Sequence, residues 1–103
     1  MDRLKLLFVC SKNKWRSKTA ETIFKDNPKL LVKSAGTSSK AQKRITRDLI
    51  EWADEIYVME RKHKEIIEMK FGRMKTKIHI LNIPDVYQYM DEDLIEELKN
   101  IVN

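Results

Sequence analysis

The chain has one cysteine, Cys10, in 103 residues, so no disulfide can form within it. A lone thiol agrees with a reducing compartment, where a thiolate survives. Histidine is almost as scarce, and neither His63 nor His79 has a Cys, His or Asp cluster around it at ligand spacing. No metal or other cofactor is expected. Near the N-terminus the only continuous apolar run is Leu6 to Val9, too short for the hydrophobic region of a signal peptide or for a membrane span. A cytoplasmic protein with no membrane partner follows as the default. Repeats and low-complexity tracts are also missing, and the length suits one domain over residues 1–103 that buries roughly two-thirds of its unfolded surface.

Charge is abundant and unbalanced. Lys and Arg number 21 against 16 Asp and Glu, a net +5 that should attract anionic partners in a salt-dependent way. Lys40, Lys43, Arg44 and Arg47 read as a solvated loop and helix start. Lys12, Lys14 and Lys18 differ because they flank the single cysteine.

Apolar periodicity alternates between two repeats. Short apolar or β-branched stretches at 4–9, 30–34, 55–59 and 77–81 predict strands, with helical patterns between them. That alternation gives an α/β fold with a parallel sheet. A first helix should start at Ser17, bury Ala20, Ile23 and Phe24, and stop before Asn27-Pro28. A second should cover Ile45 to Trp52, with Ile45, Leu49 and Trp52 on one stripe. A third should run from Arg61 to Phe71, closed by Gly72. The last should be capped by Asp91 and bury Leu94, Ile95, Leu98, Ile101 and Val102.

Between the first strand and the first helix lies Cys10-Ser11-Lys12-Asn13-Lys14-Trp15-Arg16-Ser17, a C-x5-R-S run. Five residues between a thiol and a guanidinium can curl the backbone so that its N–H groups converge on one anion, at the end of the strand where such sheets bind ligands. The same field favours the thiolate as a nucleophile toward phosphorus. Arg16 offers a planar fork for two phosphoryl oxygens. Ser17 can cap the helix and also donate to the Cys10 sulfur.

Four ordered segments resemble the low-molecular-weight protein tyrosine phosphatases. They are Leu7 to Ser17 with Thr19-Ala20-Glu21, then Val32 to Thr37 with its S-A-G-T turn, then Ala53 to Glu60, and finally Ile83-Pro84-Asp85-Val86-Tyr87. Together they span nearly the whole chain. The resemblance implies a four-stranded parallel sheet of order 2-1-3-4 with helices on both faces and the phosphate loop after the first strand. It also implies that Cys10 attacks phosphorus and that Arg16 and the loop Ser11, Lys12, Asn13, Lys14 and Trp15 hold the phosphoryl group. Asp85 would donate a proton and then accept one, with Tyr87 and Tyr89 walling the cleft. Asp91 and Asp93, also nearby, are better explained by helix capping. Asn13 matches the family's left-handed loop Asn, with Ser34 as its implied supporting partner.

Several positions depart from the family pattern. Lys12, Trp15 and Lys18 stand where Gly, Cys and Pro are common, Glu60 stands where the third strand usually ends in Met-Asp, and Val86 replaces the Pro of Asp-Pro. The stretch between Thr37 and Arg47 is shorter than usual, which implies a missing cleft wall. Arsenate reductases of this fold need further cysteines, which disfavours them here. Protein arginine phosphatases of the family usually carry Thr where this chain has Lys14, which also argues against that branch.

The expected activity is hydrolysis of phosphotyrosine in a protein substrate, with a phosphate or sulfate ion fitting the same loop. A more anionic phosphoester is the second reading, suggested by Lys12 and Lys14; it could be a nucleotide, an RNA end or a small molecule. Two rivals lie outside this enzyme class. A non-catalytic phosphate or nucleic-acid binding module has no need of Asp85, and a phosphocysteine-carrying sugar-transport subunit has no need of Arg16.

Overall fold

The computed structural model describes residues 3–102. Strand β1 (Leu4–Cys10) is followed by α1 (Arg16–Phe24), β2 (Leu30–Gly36), α2 (Arg47–Trp52), β3 (Glu55–Val58), α3 (Arg61–Phe71), β4 (Lys77–Ile80) and α4 (Glu92–Ile101). All strand pairs are parallel and the order is β2-β1-β3-β4. Because side chains alternate along a strand, β1 sends Leu6, Phe8 and Cys10 to one face and Leu7 and Val9 to the other. The first set packs with Ala20 and Phe24 of α1 and Leu94 and Leu98 of α4. The second packs with Leu49 and Ile50 of α2 and Ile67 of α3. Apolar residues on both faces make β1 the fully covered centre, as a doubly wound sheet requires.

Several boundaries differ from the sequence reading. β2 continues to Gly36, and α1 begins at Arg16 with Trp15 in the capping position. α2 begins at Arg47 instead of Ile45 because Thr46 takes the cap, its side chain accepting from Leu49 N, while Arg44 still bridges to Gly36. Asp91 caps α4 as expected and accepts from Asp93 N. The buried stripe of α4 is narrower than predicted: Leu94, Leu98 and Val102 are buried but Ile101 is 45% exposed. Within the described residues no helix is long and apolar enough to cross a membrane.

β1 lies between β2 and β3, so successive connections leave it in opposite directions. A crevice opens there, beyond the carboxyl ends of the strands. Cys10 is the last residue of β1.

Candidate active site

The loop after β1 is shaped by where its carbonyls go. The C=O groups of Cys10, Ser11 and Lys12 accept from Thr37 N (3.0 Å), Ser38 N (2.8 Å) and Gln42 N (2.9 Å). In a trans peptide the N–H points opposite to the preceding C=O, so the amides of Ser11, Lys12 and Asn13 turn inward. The short stretch after β2 therefore braces the loop. Asn13 adopts φ 53°, a left-handed conformation that Asn tolerates better than most residues, and its side-chain amide donates to Ser17 Oγ at 2.8 Å. Gly36 lets the strands and loop approach this closely: a Cβ there would lie 2.5 Å from the Ser11 carbonyl oxygen and 2.9 Å from Asn13 N.

Beneath this loop the thiol sits 3.0 Å from Ser17 Oγ, and both residues are buried. Ser17 already accepts from Asn13, and its other neighbour, the Ala35 carbonyl, is at the long distance of 3.4 Å. Its single proton is therefore best placed on the Cys10 sulfur. Ser17 was expected to cap α1, but no side-chain cap bond is made there, because its hydroxyl is turned under the loop. Ser34 likewise departs from expectation. Its hydroxyl donates to Glu21 Oε1 on α1, a bond that ties β2 to α1 and takes the serine away from Asn13.

Arg16, only 2% exposed, begins α1 and reaches across the crevice. Its Nη1 donates to Glu60 Oε2 at 2.5 Å and to the Ile83 carbonyl at 2.9 Å. The guanidinium plane is fixed, and Nε faces Asp85 Oδ1 at 3.6 Å. Ile83 is itself fully buried, with its N–H on the Met59 carbonyl at 2.8 Å, so the segment carrying Asp85 is anchored two residues earlier. Burial works to raise the Glu60 carboxyl. The hydrogen bond and charge of Arg16, with Lys62 and His63, outweigh it and hold Glu60 below the usual carboxylate range.

Glu60 and His63 were missed as site residues, and they act together. Glu60 is the N-cap of α3 and His63 its N3 residue: the Glu60 side chain takes the His63 N–H, and His63 Nδ1 accepts from Glu60 N at 3.0 Å. With Nδ1 an acceptor, the ring proton sits on Nε2, 2.9 Å from Ser11 Oγ, and must be donated to it. Burial, and then the Arg16 charge, lower the His63 pKa to about 4, so the ring is neutral at pH 7. The legible signal was a Glu-x-x-His capping pair directly after the third strand.

Cys10, Ser11, Lys12, Lys14, Trp15, Arg16 and Asp85 line one cleft. Asn13 and Ser17 lie beneath it as supports. Lys14 places Nζ 5.0 Å over the Trp15 ring, holding an ammonium at the rim. Tyr87, expected in the cleft wall, is turned to α4, where its hydroxyl donates to Glu97 at 2.8 Å. Tyr89 lines a neighbouring groove with Lys14, Trp15, Lys18 and Gln42. His79 stacks on Tyr57 at 4.6 Å and bonds Glu55, away from the cleft.

Comparison with known proteins gives a consistent set of likenesses. The model of the family described as low molecular weight phosphotyrosine protein phosphatase matches residues 5–55. A protein-arginine-phosphatase of Bacillus subtilis is 28% identical over 74% of this chain and 69% of its own length. Among solved structures, the YwlE arginine phosphatase, in a Cys-to-Ser mutant with a phosphorylated active-site serine, superposes with a TM-score of 0.75 at 25% identity, covering 95% of this chain and 93% of its own. A low molecular weight protein tyrosine phosphatase from Streptococcus pyogenes superposes with a TM-score of 0.76 at 20% identity, covering 96% and 91%.

Proposed function

Because the chain belongs to the low-molecular-weight phosphotyrosine protein phosphatase family and is a phosphatase of that cysteine-based class, we propose that it hydrolyses phosphotyrosine in proteins through a phosphocysteine. The observation that carries this reading is the convergence of these parts on one cleft. The Cys10 sulfur lies under inward-facing loop amides, the immobilised Arg16 fork stands beside it, and the Asp85 carboxyl lies 3.6 Å from that fork.

In the first step the Cys10 thiolate attacks phosphorus while the bond from phosphorus to the leaving oxygen breaks. Asp85 gives that oxygen its proton, and the free hydroxyl compound departs. Charge on the transferring group is met by loop N–H groups and the Nε–Nη2 edge of Arg16. The second step runs through the same positions. Water attacks phosphorus, Asp85 takes its proton, the S–P bond breaks, and inorganic phosphate leaves with the thiolate restored. The Ser17 proton stabilises the thiolate each time it is released. No step calls for a metal.

Phosphoarginine is the second reading, favoured by the relative of that activity. Lys14 and Lys12 in the cleft weigh against it, since a phosphoarginine leaving group keeps a positive guanidinium that would meet two ammonium groups. Trp15 at the rim suits an aromatic ring instead. A sequence-matched pair of phosphotyrosine and phosphoarginine peptides, turned over by the parent and by Asp85→Asn, tests both parts. The phosphotyrosine peptide should have the higher kcat/KM, and Asp85→Asn should slow it by about 10² to 10⁴, the usual worth of a positioned acid. Preference for the phosphoarginine peptide, or parent-like rates in Asp85→Asn, would reject the substrate or the acid respectively.

A further inference from the structure

The cleft does not end at Lys14 and Trp15. Both residues are shared with a second groove that continues past the rim between Lys18 and Gln42 on one side and Tyr89 on the other. Its cations are uncompensated: among the described residues neither Lys14 nor Lys18 forms an ion pair with a carboxylate, and no acid lines the groove. Lys18 gives one ammonium proton to Gln42 Oε1 at 3.1 Å, which holds it at the groove wall with the other two to offer.

The opposite wall is built with equal care. Thr22 donates its proton to the Lys18 carbonyl, so the Tyr89 hydroxyl must donate to Thr22 Oγ1, 2.8 Å away. The ring is thereby fixed against α1. Met90, next in sequence, is held at φ 62° by a bond from its N–H to Thr19 Oγ1 at 2.9 Å. A left-handed non-glycine residue persists only where its surroundings hold it. The segment forming this wall is therefore anchored to α1 at two points and does not drape loosely over it.

Resting on the protein phosphatase reading above, we infer that this groove is a subsite for an acidic side chain of the substrate polypeptide, next in sequence to the phosphorylated residue. Lysines spaced along an open groove suit carboxylates, which need only a point charge. No Arg is present to grip a second phosphate in two-pronged fashion. Trp15 and Tyr89 give the methylene groups of the peptide apolar surface to lie on.

The test compares two phosphotyrosine peptides that differ only in having Glu or Gln on either side of the phosphotyrosine, with an aryl phosphate and a 5′-phosphorylated oligonucleotide as further substrates. The Glu peptide should exceed the Gln peptide in kcat/KM by about fivefold at low salt, the effect of two exposed ion pairs. The ratio should fall toward one at high salt and in Lys18→Gln. Using the ratio cancels any general loss of activity in that variant. Equal rates on the two peptides, or a preference that Lys18→Gln leaves intact, would overturn the subsite. An oligonucleotide that outruns the Glu peptide and depends on Lys18 would overturn it in favour of nucleic acid. Should even the aryl phosphate resist hydrolysis, the catalytic reading fails by itself. The subsite is then decided by the ratio of Kd values of the two peptides for Cys10→Ser protein.

Discussion

Glu60 and His63 show how two ordinary side chains brace a reactive loop. Glu60 holds Arg16 from one side while His63, fixed in a single tautomer by the Glu60 N–H, holds Ser11 from the other. A His kept neutral when buried must take up a proton on unfolding below its ordinary pKa, which ties the brace to pH. Its folded value of about 4 lies below the usual 6.5, so the unfolded chain binds more protons between those values. Stability should be intact above pH 6.5 and fall as pH drops toward 4, by up to about 3 kcal/mol from this group. Urea unfolding at several pH values should therefore give a steeper acid loss for the parent than for His63→Gln. Equal slopes would mean that His63 is not held neutral. The motif residues Cys10, Arg16, Asn13 and Asp85 were legible because each has a fixed place in a recognisable run. His63 was not, because its role depends on Ser11, 52 positions away. Ser34 and Tyr87 were misread for the same reason: their partners, Glu21 and Glu97, are chosen by packing between elements.

The elements that build the crevice were readable from periodicity, since strands of one covered sheet are short apolar runs and the intervening helices repeat at three and four residues. Their ends were less so. α1 starts one residue early because Ser17 is drawn beneath the loop, leaving Trp15 as a cap without a side-chain bond. The junction of β2 with the loop is the tightest of these contacts. Gly36 has no φ that demands glycine; its requirement is space, since an added Cβ would also meet Ala41 Cβ at 2.6 Å. Backbone at Ser11 and Asn13 cannot yield cheaply, so Gly36→Ala should displace the loop. Activity should drop by about 10²-fold, the cost of misplacing catalytic groups by about 1 Å. The stability loss should stay within the roughly 1–3 kcal/mol of an overpacked site. Parent-like kcat/KM in a folded Gly36→Ala protein would show that the loop tolerates the shift, against this account of the turn.

Across the molecule, the strand order β2-β1-β3-β4 is what brings three distant segments to one point. Alternating strands and helices already dictate a parallel sheet, but periodicity alone does not choose among strand orders; that came from the likeness of four segments to a known family. Arg16 meets Glu60 and Ile83 only because β3 lies beside β1 and the chain leaving β4 continues along the end of β3. A net charge of +5 adds a general attraction for anions without selecting a site. The selecting feature is the single thiol at the carboxyl end of β1. Its role is most directly tested by quenching the protein with denaturant at mildly alkaline pH during turnover of an aryl phosphate and locating the phosphoryl group by mass spectrometry. One phosphoryl adduct, stable at alkaline pH and lost on mild acidification, is expected on Cys10, with turnover insensitive to chelators and abolished in Cys10→Ala. Steady turnover with no adduct on Cys10, or substantial activity retained by Cys10→Ala, would contradict it.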